Sequence, residues 1–231
     1  MNEVTANEQL DEPLQLERVY QEIKWRIVHA RYAPGFVLSE GMLARVHKAS
    51  RTPVRDALAR LQEEGYVERE PRRGFRVSPI TVATLQQTYE VRRLLEGDAA
   101  ELAAARADEK AIAHMRALAN YPLLDKTPES YGLRLKTNDD FHLAVAGATQ
   151  NGFLLDLVRR CLTQHNRVLL LSTGVNYPTL PGSVPQHHEI VDAIEARDAA
   201  AARRMMLAHL EDAYALVMRL VESGAVRGVS A

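Results

Sequence analysis

Apolar positions recur every three or four residues through most of this chain, and the breaks between the runs fall at proline, glycine and asparagine. Leu16, Val19, Ile23 and Ile27, with Trp25 beside them, form a stripe that predicts a helix over Leu14–Arg31, stopped by Tyr32-Ala33-Pro34-Gly35. A shorter helix follows from Ser39, with Met42, Leu43 and Val46 on one side. The next opens at Ser50-Arg51-Thr52-Pro53 and turns Val54, Ala57, Leu58 and Leu61 inward. Ser50 or Thr52 can cap it, Pro53 suits a first turn, and Gly65 ends it. Two short strands around Arg72-Arg73-Gly74 complete a helix-turn-helix with a basic wing.

Beyond a joint at Ser78-Pro79 the pattern predicts helices only. A long one spans Thr81–Ala107, with Leu85, Tyr89, Leu94 or Leu95, Ala99, Leu102 and Ala103 inward. Others cover Glu109–Leu118, Tyr131–Ala148, Asn151–Thr173, Pro185–Arg197 and Asp198–Ser223, with loops at 122–130 and Gly174–Val184. The fold class is therefore mainly α: an N-terminal winged helix-turn-helix (14–79) followed by an all-α antiparallel bundle (80–223). Residues 1–13 and 224–231 read as a disordered and a frayed tail.

Charge separates these two parts. Residues 14–79 hold 13 Lys and Arg against 8 Asp and Glu, an excess of five positive charges inside a chain whose net charge is −1. The excess coincides with a helix start that exposes Arg51, Thr52 and Arg55, a combination suited to a phosphate-lined groove. One cysteine, Cys161, allows no internal disulfide and reads as a small buried hydrophobe in a reducing cytoplasm. The acidic, polar N-terminus is no signal peptide, and no apolar run is long enough to span a bilayer.

The ordered set Glu40-x-x-Leu43-Ala44, Ser50-Arg51-Thr52-Pro53-Val54-Arg55-x-Ala57-Leu58-x-x-Leu61-x-x-x-Gly65 and Arg73-Gly74-x-x-Val77 resembles the winged helix of the GntR superfamily of bacterial transcription regulators. The resemblance implies that Arg51, Thr52 and Arg55 contact bases and phosphates, and that Arg72, Arg73 and Gly74 form a wing tip that enters the minor groove. Gly41 departs from it, since many relatives carry Arg after the Glu.

The helical part carries a second signal. Asn138 and His142 are four apart and share a helix face with Val145 and Thr149. His209 lies on the inward stripe Met205–His209–Ala213–Leu216, and His187 begins the preceding helix. Three imidazoles and an amide oxygen from three helices can converge on a divalent cation. Spacing alone leaves the alternative of ordinary core histidines. The patterns Asn138-Asp139-Asp140-Phe141-His142, His187-x-x-Ile190-x-x-Ala193-Ile194 and Ala208-His209-Leu210 are similar to the ligand pattern of the FadR branch, with its FCD regulatory domain. That similarity implies a divalent transition metal, zinc with nickel or manganese as alternatives, on Asn138, His142, His187 and His209, and selects His187 over His188. Asn138 stands where many metal-binding relatives have Asp.

Arg92 lies one turn before Glu96, which predicts an i,i+4 ion pair; the alternative is a carboxylate clamp for an effector, with Tyr89 lining the pocket or packed in the core. His29, His47, His114 and His165 carry no partner pattern. The expected function is a homodimeric, cytoplasmic transcription regulator, a repressor. It binds operator DNA under control of an organic-acid effector held at or near the metal. A metal-dependent hydrolase would need a base at Asp139 or Asp140, neither of which the helical phase turns clearly inward, and an effector-independent architectural DNA binder would need only a dimerising bundle.

Overall fold

The computed structural model describes residues 12–28, 31–120, 128–171, 183–223 and 229–230. The chain divides into two compact units that meet in sequence at Ile80–Thr81.

The first unit starts with α1 (Glu12–Val28), two residues ahead of the expected helix, so Glu12 and Pro13 belong to it and not to a tail. Proline costs nothing in a first turn, where its missing N–H has no intrahelical acceptor. The stripe of α1 buries Val19, Ile23 and Ile27, but Trp25 falls off it and is half exposed. After β1 (Val37–Leu38) comes α2 (Glu40–Val46), capped by Ser39 Oγ accepting from Met42 N–H. Only Leu43 of the expected trio is buried there; Val46 is exposed, and His47 takes the inward position. In α3 (Arg51–Glu63) Ser50 occupies the N-cap position without making a side-chain cap bond, and Pro53, Val54, Ala57, Leu58 and Leu61 are buried.

Gly65, at φ +79°, turns the chain out of α3 into β2 (Val67–Glu70), which pairs antiparallel with β3 (Gly74–Val77). β1 adds on the other side of β3, a third strand that two residues of sequence could not announce. Gly74 is required at its place: φ is +103°, and a Cβ would sit 2.7 Å from the Leu38 carbonyl oxygen.

The second unit contains six helices among the described residues: α4 (Val82–Arg106), α5 (Glu109–Ala119), α6 (Pro128–Ala148), α7 (Gly152–Leu171), α8 (Ser183–Glu195) and α9 (Ala199–Glu222). Thr81, Asp108 and Asp198 cap α4, α5 and α9 through their side chains. α6 begins at Pro128, inside the expected loop; residues 121–127 and 172–182, which hold the rest of the two expected loops, lie outside the described residues. Small residues of α4 (Ala100, Ala103, Ala104) let Phe141, Ile190, Ile194, Met206 and Leu210 close around it. The helices-only expectation fails at the chain end, where Val229–Ser230 form β5 and pair with β4 (Ile80–Thr81). Those two residues are therefore not part of a frayed tail.

Candidate functional site

Two places combine exposed or converging polar groups with a rigid frame, one in each unit. In the first, burial of the apolar face of α3 leaves Arg51, Thr52 and Arg55 exposed at its start. Arg55 is held: its Nε and Nη2 both donate to the Glu40 carboxylate, each at 3.1 Å. That fork leaves Nη1 and one Nη2 hydrogen turned away, the edge that can bridge a guanine O6 and N7. Arg72, at φ +65°, and Arg73 are exposed at the turn before Gly74.

In the helical unit α6 supplies Asn138 and His142, α8 supplies His187 and α9 supplies His209, all buried. His209 Nε2 lies 3.2 Å from His187 Nε2 and 3.3 Å from His142 Nε2. One ligand atom from each of the three falls within 4.8 Å of the others. Ligands at a zinc–nitrogen distance of about 2.0–2.1 Å stand about 3.3–3.4 Å apart along a tetrahedron edge, so the two Nε2 separations already suit one cation.

The distal nitrogens support the same reading. His142 Nδ1 is 2.6 Å from Glu96 Oε2, and His209 Nδ1 is 3.0 Å from Gln186 Oε1. Each oxygen favours an Nδ1–H tautomer, which leaves the Nε2 lone pair facing inward. His187 is fixed by stacking on Phe141, centroids 3.8 Å apart and 10° from parallel. Lone pairs facing one another at such range repel unless a proton or a cation lies between them. The donor set therefore fits a divalent metal, with His142, His187 and His209 as ligands and Asn138 one turn away on the same face.

Around this trio the interior is more polar than the sequence pattern suggests. Arg92 and Glu96, 1% and 2% exposed, are paired with Nε 2.5 Å from Oε1. The ion pair is thus the predicted one, but it lies in the core and not on a solvated helix face. Burial raises the Glu96 pKa, yet Arg92 and His142 outweigh it and hold the carboxyl well below the usual range. Tyr89 is buried, with its hydroxyl 2.9 Å from His165 Nδ1, and burial pushes its pKa upward.

Asp139 is half-buried. Part of its surface is exposed, but its Oδ1 is fully enclosed and its Oδ2 accepts from the Asn166 side chain. Burial drives its pKa up to about 7, against the pull of Arg92. His165, left without a role above, is buried in the same region. Glu96, Asp139, His165, Asn166 and Gln186 are the residues that apolar periodicity missed. A count of polar residues on the inward phases of α4, α6 and α7 was the available signal.

Burial lowers the pKa of His165, His187 and His209 well below 6.5; neighbouring cationic groups add to it, and Glu96 opposes it at His165 and His209. All three stay neutral in the fold while ionising near ~6.5 once unfolded. The unfolded chain then binds more protons, so stability is lost as pH falls from ~6.5 towards their lower folded values, at up to about 1.4 kcal/mol per pH unit each. Asp139, raised to about 7, runs the other way below that pH and offsets one of the three. The metal-free protein should therefore melt at a lower temperature at about pH 5.5 than at about pH 7.5; a higher melting temperature in acid would contradict neutral buried imidazoles.

Residues 15–77 match the family described as "Bacterial regulatory proteins, gntR family", and residues 87–212 match the FCD domain. Over 202 residues the chain is 30% identical to the Nta operon transcriptional regulator of Aminobacter aminovorans, spanning 86% of this chain and 92% of that one. The chain is a GntR-family transcriptional regulator with an FCD domain. It shares 26% identity over 197 residues with the HTH-type transcriptional repressor RspR of Escherichia coli, covering 85% of this chain and 86% of that one. Its fold is that of E. coli McbR/YncC, with a TM-score of 0.70 at 21% identity over 90% of this chain and 98% of the other. As a regulator of this family it is not an enzyme. No helix among the described residues is long and apolar enough to cross a membrane.

Proposed function

We propose that this GntR-family regulator is a cytoplasmic, homodimeric repressor whose hold on operator DNA is set by a small organic acid bound beside a divalent metal, zinc foremost. The observation that carries the reading is the convergence of His142, His187 and His209, with Nε2 separations of 3.2 and 3.3 Å, inside the helical unit. Arg51, Thr52 and Arg55 would read the major groove, and Arg72, Arg73 and Gly74 the minor groove. When bound, the cation supplies a Lewis-acidic position for a carboxylate oxygen. Arg92, whose Nη1 has no hydrogen-bond partner among the described residues, would take the second oxygen, with Tyr89 close by.

Exposed apolar side chains at Val91, Leu94, Phe153 (87% exposed) and Leu157, on the mutually packed α4 and α7, support self-association through those helices. α4 starts directly after Thr81 and also carries Arg92 and Glu96, so an acid bound there can favour one dimer geometry over another. A carboxylate screen by fluorescence anisotropy on the operator tests the proposal, with metal-loaded wild type and His209→Ala side by side. Wild type should bind two protomers per palindrome and change affinity with one class of acid. His209→Ala should bind DNA comparably and ignore the acid. An equal response in both would exclude the His cluster as the control site.

A further inference from the structure

The winged unit holds a further cation on the side where the start of α3 is exposed. Arg69 lies in β2, and the strand register puts it in one row with Phe75 of β3 and Leu38 of β1, both buried. Neighbours across a sheet share a face, so Arg69 starts from the side of the sheet that packs on the helices. It ends that row, reaches past the core and is exposed. The other face of β2 carries Glu68 and Glu70, and Glu70 is paired with Arg76. Acid thus collects on one side of the wing, and Arg69 stands on the other.

Its charge reaches Glu40. Arg55 through its fork, then Arg51 and Arg69 through charge, hold the Glu40 carboxyl below the usual range against the effect of burial. Three guanidinium groups against one carboxylate leave two positive charges over, an arrangement that an anion relieves. From this point β2 runs on to the wing turn at Arg72 and Arg73. On duplex DNA one sugar-phosphate strand separates the major groove from the next minor groove. A protein with α3 in the first and its wing in the second must cross that strand. Arg69 lies on the crossing.

We propose that Arg69 is a phosphate-binding residue, seated on the DNA backbone between the groove read by α3 and the groove entered by the wing. This rests on the placement of α3 and the wing given above, and adds to it a contact that carries no sequence information. A guanidinium suits the position, because it takes two phosphate oxygens at once and its charge displaces counterions.

The test is fluorescence anisotropy of the full-length protein on two duplexes, one of random sequence and one selected from a random pool by the wild type. Each is titrated between about 50 and 200 mM salt. Arg69→Gln should weaken binding to both by about three- to tenfold, and should cut the slope of log K against log salt by about 0.9 per bound protomer. Arg69→Lys should restore most of that slope, since a point charge still displaces a counterion. The ratio of selected to random affinity should stay within about twofold of wild type. The residue is exposed, so neither substitution disturbs the core. An unchanged slope in Arg69→Gln overturns the proposal. So does a loss confined to the selected duplex, which would make Arg69 a residue that acts on base reading through Glu40 and Arg55. Arg51→Ala and Arg55→Ala test the placement beneath it: if both bind the selected duplex as the wild type does, α3 is not in the groove and the inference falls with it.

Discussion

Arg92→Met should destabilise the helical unit by about 3–5 kcal/mol, the cost of stranding a buried charge when its partner is removed. Glu96 is 2% exposed, and its carboxylate, with His142 beside it, is held ionised through Arg92 first. The double variant Arg92→Met/Glu96→Leu should recover most of the loss, because a buried pair exchanged for apolar groups of similar volume is often neutral or better. That recovery separates stability from function: the double variant lacks both the guanidinium clamp and the oxygen that orients His142. Its metal affinity should fall about 10- to 100-fold, as expected for loss of an outer-shell partner. Chemical denaturation of the full chain checks the first part. A loss below about 1 kcal/mol would mean the guanidinium still reaches solvent.

The second large effect is at the other end of the chain. Arg51→Ala and Arg55→Ala should each weaken specific operator binding by about 1–3 kcal/mol if bidentate to a guanine. Together they should come close to removing the preference for operator over random DNA, since both sit on one reading edge. Both side chains are exposed, so the fold should not suffer. Glu40→Gln should give an intermediate loss by freeing the Arg55 guanidinium from its fork. Electrophoretic mobility shifts against operator and random duplexes measure this, and unchanged operator affinity in the double arginine variant would remove α3 as the reader.

The outline of both units was legible in the sequence for a physical reason: one buried face per helix writes itself as a 3.6-residue period. Leu43, Leu58, Leu85, Ala99 and Ala213 all follow it. Failures fall where burial is polar or the element short. Arg92 and Glu96 occupy buried positions that a search for apolar residues skips, Asp139 is half-buried with its Oδ1 enclosed, and Val46 yields its place to His47, which pairs with Glu22. The strands at Val37–Leu38 and Val229–Ser230 are two residues long, set by partners far away in sequence. The site shows the same division. The i,i+4 phase put Asn138 and His142 on one face, but the oxygens that aim the imidazoles, on Glu96 and Gln186, come from other helices and follow only from packing.

The claim on which the regulatory account depends is that His142, His187 and His209 hold a cation. Elemental analysis by plasma mass spectrometry, on protein purified without affinity tag or chelator, tests it most directly when wild type and His209→Ala are compared. Wild type should carry close to one equivalent of a divalent transition metal per chain and His209→Ala almost none. Equally little metal in both, including after incubation with zinc and desalting, would contradict it and leave three histidines that are only a polar patch in a helical core.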